Sequence, residues 1–345
     1  MSEILIQGCG AVSPAGWGLA PLVQALETDG SIPLKEVKRP GWANSLLVRQ
    51  VPAPSPRPAF MAHPRLRRTS AITQYAVSAA LEALGEDAAR AQDGSNRLGI
   101  ILCVMTGCVN YSRRFYDEVL RDPSIASPLL FPETVFNAPS SHLAALLGSP
   151  AINYTLVGDP GTFLQGLALA ADWLTDQQAD GCLVVGAEEI DWLTADAFRL
   201  FSPQIALSEG AGALYLRRGD AGPSPVALGA ITSPHLFSDR NSRFQAAEKM
   251  RAELPESAPS GLLCDGTQNI PRLDGPEATA WKDWTGTRLS PKKTLGEGLM
   301  AAAAWQCVAA VDRLRNGRFP SAQVSIVGCS QQAIGGQFLR SVTAP

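Results

Sequence analysis

The octapeptide LVGDPGTF at residues 156–163 has the layout of a reactive turn without a reactive side chain. The apolar run 152–157 reads as a buried strand and 164–174 as a helix, which predicts a tight strand-to-helix elbow at 158–162. An elbow of this kind can hold a thiolate at the positive end of a helix. Here Asp159 suits a helix N-cap and Pro160 the first helical position. Neither Pro160 nor Gly161 can attack a thioester. The turn also lacks the lysine and the glycine spacing of a nucleotide-phosphate loop.

Other residues that could carry chemistry are few. His63, beside Pro64 and Arg65, reads as surface, His142 as a packing or capping residue near a helix start, and His235, after Pro234, as a loop residue. Cys264, next to Asp265, reads as a small core residue at a strand end. Arg65, Arg67, Arg68, Arg113 and Arg114 are either a solvated surface or a contact for an acidic partner.

The chain has 345 residues, 46% of them apolar and 18% charged, enough for one large core or two fused ones. A net charge of −3 gives no footprint for nucleic acid or an anionic membrane. The seven cysteines are scattered without metal or redox spacing, so no metal or cofactor is expected, and reduced thiols in the cytoplasm are. The N-terminus lacks the regions of a signal peptide, and no apolar run is long enough to span a bilayer.

These residues sit on a regular alternation. Strands are expected at 4–7, 98–104, 181–186, 210–216, 226–231, 261–264 and 324–328. Helices are expected at 19–26, 67–84, from about 141, at 277–281 and at 298–315. A glycine-rich turn is read at 8–14 and a proline-rich loop at 52–58. Short apolar strands alternating with helices argue a layered α/β fold with both sheet faces covered. The similar rhythm of the two halves suggests duplication.

Several segments, in the right order along nearly the whole chain, resemble the β-ketoacyl synthases, the thiolase-fold condensing enzymes of fatty-acid and polyketide assembly. They are GAVSPAG (10–16), ITQYA (72–76), SPLLFPETVFNAP (127–139), SEGAGA (208–213) and the glycine-rich stretch from Gly328 to Gly336, with Gln331, Gln332 and Ile334 in unusual places. The resemblance implies a thiolase-like α/β fold of two duplicated halves in an α-β-α-β-α layering. The N-terminal half would be 1–220 and a shortened C-terminal half 221–345.

The family's reaction uses an elbow cysteine to carry the acyl chain and two histidines for decarboxylation and enolate stabilisation. By the resemblance, Pro160 stands at the cysteine position. Asp265, in LCDGT (263–267), and Glu297, in SPKKTLGEG (290–298), stand at the two histidine positions, and the supporting lysine is kept as Lys292. Asp159, Gly161, Thr162 and Ile334 would line the altered site or an acyl tunnel. If Asp159, Asp265 and Glu297 converge, they could act as acid and base. Alternatively, Asp159 caps its helix while Asp265 and Glu297 pair with Lys292 in a filled cavity.

The resemblance further implies a dimer. Some family systems pair an active ketosynthase with an inactive homologue, the chain-length factor, which lacks the cysteine and helps shape the tunnel. The expectation is such a non-catalytic subunit, partnered by a ketosynthase and an acyl carrier protein. The alternatives are a repurposed acyl-thioester enzyme using Asp265 and Glu297, and a scaffolding homodimer.

Overall fold

The computed structural model describes residues 3–28, 30–149, 152–219, 225–258 and 260–341. Ten strands form the continuous path of its twelve-stranded main sheet. In the first half these are β1 (Ile4–Ser13), β2 (Leu98–Val104), β3 (Asn153–Val157), β4 (Gly181–Glu188) and β5 (Gly210–Arg218). In the second they are β6 (Val226–Ile231), β7 (Leu262–Cys264), β8 (Thr287–Leu289), β9 (Ser321–Val327) and β10 (Gln332–Arg340).

The strand order is 3-2-4-5-1 in the first half and 8-7-9-10-6 in the second, with β1 paired to β6 through Leu5 and Ile6. The pairing directions repeat as well. β2 runs parallel to β3 and β4, β5 is antiparallel to β4 and β1, and the second half copies each relation five strands later. That repeat bears out the duplicated fold, and the short second half keeps all five strands. The expected boundary at residues 220 and 221 lies outside the described residues.

Of the eleven α-helices among the described residues, eight frame the sheets and the site: α1 (Ala71–Leu84), α2 (Val109–Arg121), α3 (Ala138–Leu147), α4 (Thr162–Thr175), α5 (Trp192–Phe201), α6 (Arg240–Glu253), α7 (Pro271–Ala280) and α8 (Met300–Arg315). Helices α4 and α8 lie between the two five-stranded layers and touch both. A helix covered on every side must be apolar all round, and the alanine-rich MAAAAWQCVAAV segment of α8 is buried throughout. Its Trp305 donates its indole N–H to the carbonyls of Val12 (3.1 Å) and Ala211 (3.0 Å), pinning the middle layer to the first sheet. Helices α1 and α3 cover the outer face of the first sheet, and α6 and α7 that of the second.

Several expectations are corrected. The glycines at 8 and 10 do not make a turn but lie inside β1, where a Cβ would strike the carbonyls of Ala83 and Ala79 on α1. Likewise Gly335 and Gly336 lie in β10, pressed by Leu254 and Leu164, rather than in a loop. Residues 67–70 precede α1 instead of belonging to it. The strand before the elbow, β3, is an edge strand whose Tyr154 and Val157 are each 53% exposed, so it is not buried. No further strand among the described residues pairs with that edge. No helix among the described residues is long and apolar enough to cross a membrane.

Candidate functional site: a closed pocket at the elbow

The elbow between β3 and α4 forms as expected, but Asp159 does not cap the helix. The N-cap of α4 is Gly161, with no side-chain cap, and the helix begins at Thr162, two residues beyond Pro160. The Asp159 carboxylate, 1% exposed, turns instead to the loop between β9 and β10. One oxygen accepts the backbone N–H groups of Cys329 (3.1 Å) and Ser330 (3.0 Å) and the Ser330 hydroxyl (3.0 Å). The other accepts the N–H groups of Gln331 (3.2 Å) and Gln332 (3.1 Å). Four successive N–H groups of one loop are a concave anion receptor. Here the chain's own carboxylate fills it.

Next to it the elbow is packed shut. A Cβ on Gly161 would meet the Ile334 methyl and the Gln332 amide, and Gln332 Nε2 donates to Thr162 Oγ1 at 3.2 Å. Gly161, Thr162 and Ile334 are all buried, so these predicted tunnel residues pack on one another.

Glu297 and Asp265, the residues expected at the two histidine positions, are also tied down. The Glu297 carboxylate accepts from Lys292 Nζ at 2.7 Å, from the Leu299 N–H at 3.0 Å and from Gln268 at 3.3 Å. Both partners of the ion pair are 5% exposed at the side chain. Burial by itself would lower the Lys292 pKa, but the Glu297 charge and hydrogen bond outweigh it and hold the ammonium above its ordinary value. Asp265 does not join this pair, contrary to the expected network. It accepts from the hydroxyls of Ser290 (2.6 Å) and Thr267 (2.8 Å), with Arg288 at 3.5 Å. The strand end at Cys264 and the parallel neighbour β8 carry Asp265 toward Ser290 and Arg288, and away from Lys292.

Two ionisable groups without a motif complete the region. Glu277 of α7 is fully buried and accepts from the Gly266 N–H at 3.0 Å and from the Ser325 hydroxyl. Burial, and then the Asp265 charge, push its pKa up to about 8, so it is largely protonated at neutral pH. Arg243 of α6 donates to the Gly328 carbonyl at 2.9 Å; burial lowers its pKa, opposed by nearby acidic groups that include Asp159 and Glu297. Asp159, Asp265 and Glu297 therefore meet in one electrostatic region through Glu277 and Arg243, not by direct contact. In sequence, Glu277 and Arg243 are ordinary helix residues, and only a polar residue inside an otherwise inward-facing stripe could have marked them.

What remains open is small. The cavity walled by Gly266, Gln268, Glu277, Lys292, Glu297 and Cys329 measures about 20 Å³, room for a single water and not for an acyl chain. Cys329 faces this cavity, but burial and the neighbouring Asp159 raise its thiol pKa well above the ordinary value. Its S–H points at the Asp159 carboxylate, 3.3 Å away, so it does not replace the missing nucleophile. Cys264 is fully buried, as expected of a core residue.

None of the three histidines reaches the site. His142 pairs with Glu133 (2.8 Å), His235 pairs with Glu253 (2.7 Å), and the His63 ring accepts the Arg65 N–H. Among the basic residues, Arg113 is held by Asp191 and Asp117, and Arg114 lies 3.8 Å from Glu118. Arg65, Arg67 and Arg68 are exposed. Among the described residues no cluster of potential ligands could hold a metal ion.

The duplicated five-layer architecture, with an elbow at the first half's middle helix, is the thiolase-type fold of the ketosynthases. Particular solved structures share it over almost the full chain. The ishigamide ketosynthase/chain length factor matches with a TM-score of 0.76 at 18% identity, covering 99% of this chain and 100% of that one. A type II polyketide ketosynthase solved with its acyl carrier protein, AntDE:AntF, matches with a TM-score of 0.80 at 17% identity, covering 99% and 100%. The Xenorhabdus doucetiae ketosynthase ApeO in complex with its chain length factor ApeC gives 0.79 at 15% identity, covering 99% and 98%. No family model matches the sequence, and no curated protein matches it.

Proposed function

We propose that this chain is a non-catalytic ketosynthase-like subunit of the chain-length-factor type, which pairs with an active ketosynthase in polyketide or fatty-acid-like synthesis. The observation that carries the reading is the closed site. Pro160 stands at the elbow, Asp159 fills the anion receptor, Glu297 is locked to Lys292, and about 20 Å³ of space is left. A condensing enzyme needs a nucleophile, an open oxyanion receptor and room for a thioester. A partner subunit needs only the fold and an interface.

An interface of suitable character exists at the free edge of the first sheet. Besides Tyr154 and Val157 on β3, the stretch from α2 to α3 exposes Tyr116, Leu120, Ile125, Leu129 and Phe131, the last four between 57% and 71%. The Cys108 thiol, donating to the Val135 carbonyl, ties this stretch to the end of β2. An open strand edge beside large exposed apolar side chains is a surface that pairing would bury. The occupant we assign is the matching edge of an active ketosynthase. The exposed Arg65, Arg67 and Arg68 suit an acidic acyl carrier protein, and the seven free thiols suit the cytoplasm.

Structures solved as ketosynthase complexes with a chain length factor support the same reading. Co-expression with a Cys-His-His ketosynthase from the same genomic neighbourhood tests it. A stable one-to-one complex that is lost in Tyr154→Arg supports the proposal. Two independently migrating proteins would overturn it.

A further inference from the structure

A second cavity, of about 220 Å³, lies directly outside the closed site and is lined by Arg240, Arg243, Arg272, Phe201, Phe237 and Leu273, among others. Arg243 lines both chambers. Arg243 is partly buried, and its guanidinium lies over the Phe237 ring, with Cζ 5.5 Å from the ring centroid. One Nη donates to the Gly328 carbonyl, while the buried Nε has no acceptor, and no carboxylate of the described residues forms an ion pair with it.

Arg240 and Arg272 stand exposed at the rim, also without an ion pair among the described residues. The one acidic residue in the lining, Asp239, is engaged in capping α6 through the Ser242 N–H. The walls at Phe201, Phe237, Leu273 and Pro276 are apolar.

From the partly buried Arg243 guanidinium, which has no carboxylate partner among the described residues, the two rim arginines and these walls, we infer that the outer cavity binds a small amphiphile through a terminal oxyanion. The oxyanion, a carboxylate or a phosphate ester, sits on Arg243, and a short hydrocarbon lies against Phe201 and Phe237. Guanidinium offers paired N–H donors that match both oxyanions. The volume admits a head group with a few carbons and not a long chain. The inference does not rest on pairing with a ketosynthase, and its test uses the purified chain alone, so either can fail without the other.

Titration calorimetry with hexanoate, hexyl phosphate and hexanol, at fixed ionic strength, reads the site and separates the two oxyanion sources. At least one of the anions binds saturably, and hexanol binds about tenfold more weakly or not at all. Arg243→Gln weakens the anion about tenfold, the loss of one charge-assisted contact. Because Arg243 also braces Gly328, the exposed double variant Arg240→Glu/Arg272→Glu gives a second reading that leaves the interior intact. It weakens the anion at least threefold and leaves hexanol unchanged. Equal binding of anion and alcohol, or an anion affinity that the rim variant does not change, overturns the inference.

Discussion

Replacing Asp159 by alanine removes an acceptor that four backbone N–H groups and a hydroxyl share. Not all of these groups lose equally. Ser330 and Gln331 are exposed, so their donors can turn to water. Cys329 is largely enclosed and Gln332 is 4% exposed, and their N–H groups have no substitute acceptor. At about 1–3 kcal/mol for each stranded donor, the variant is expected to lose about 2–6 kcal/mol. Asp159→Asn keeps the shape and one oxygen but turns an NH₂ group toward Gln331 and Gln332, and is expected to lose about half as much. Equilibrium unfolding in urea, at constant m-value, measures both. A loss below about 0.5 kcal/mol for Asp159→Ala would refute the assignment of this carboxylate as the anchor of the β9–β10 loop.

Three further outcomes are expected. Lys292→Met strands the buried Glu297 and costs about 3–5 kcal/mol in the same unfolding assay, while Lys292→Met/Glu297→Leu recovers most of the loss. Glu277 at about 8 and Glu188 at about 7 are raised carboxyls, so the folded chain holds protons that the unfolded chain releases above its own pKa near 4.5. Stability therefore falls as pH climbs from about 4.5 to 8, by up to about 1.4 kcal/mol per unit for each group, and Glu277→Gln flattens the upper part of the slope. A pH series of unfolding free energies showing the same slope in Glu277→Gln would contradict that. Pro160→Cys restores a thiol but not the space, so intact mass spectrometry after exposure to an acyl carrier thioester shows no adduct; rapid acylation would mean that the site opens.

Much of the fold was legible because strands inside the sheets and the central helix announce themselves as continuous apolar runs. The limits of β2 and β6 and the far end of α8 were read correctly from such patterns. Glycines misled at residues 8–10 and 335–336. A missing side chain serves a turn and a close helix–strand contact equally well, and only the neighbouring Ala83, Ala79, Leu254 and Leu164 decide between them. Helices α2 and α6 were not read, because both are rich in charged residues and bury few or no side chains, which leaves no continuous apolar run.

At the site, the substituted positions Pro160, Asp265 and Glu297 were visible as residue types at motif spacing. Their partners were not. Asp159 sits 170 residues or more from the loop it binds, and an acid before a proline at a helix start has the appearance of a cap. Arg288 was the unforeseen partner of Asp265, because parallel register with β8, and not sequence proximity, sets that contact.

In the proposed role this chain contributes a fold and a surface to condensation but no catalytic group. The most direct test incubates the purified chain, an active ketosynthase and both together with acyl and malonyl carrier thioesters, following product and protein-bound acyl groups by mass spectrometry. The expected result is no product and no acyl adduct on this chain in any mixture, with condensation by the pair and the acyl group on the partner's cysteine. Condensation or decarboxylation by this chain alone, abolished in Asp265→Asn or Glu297→Gln, would contradict it.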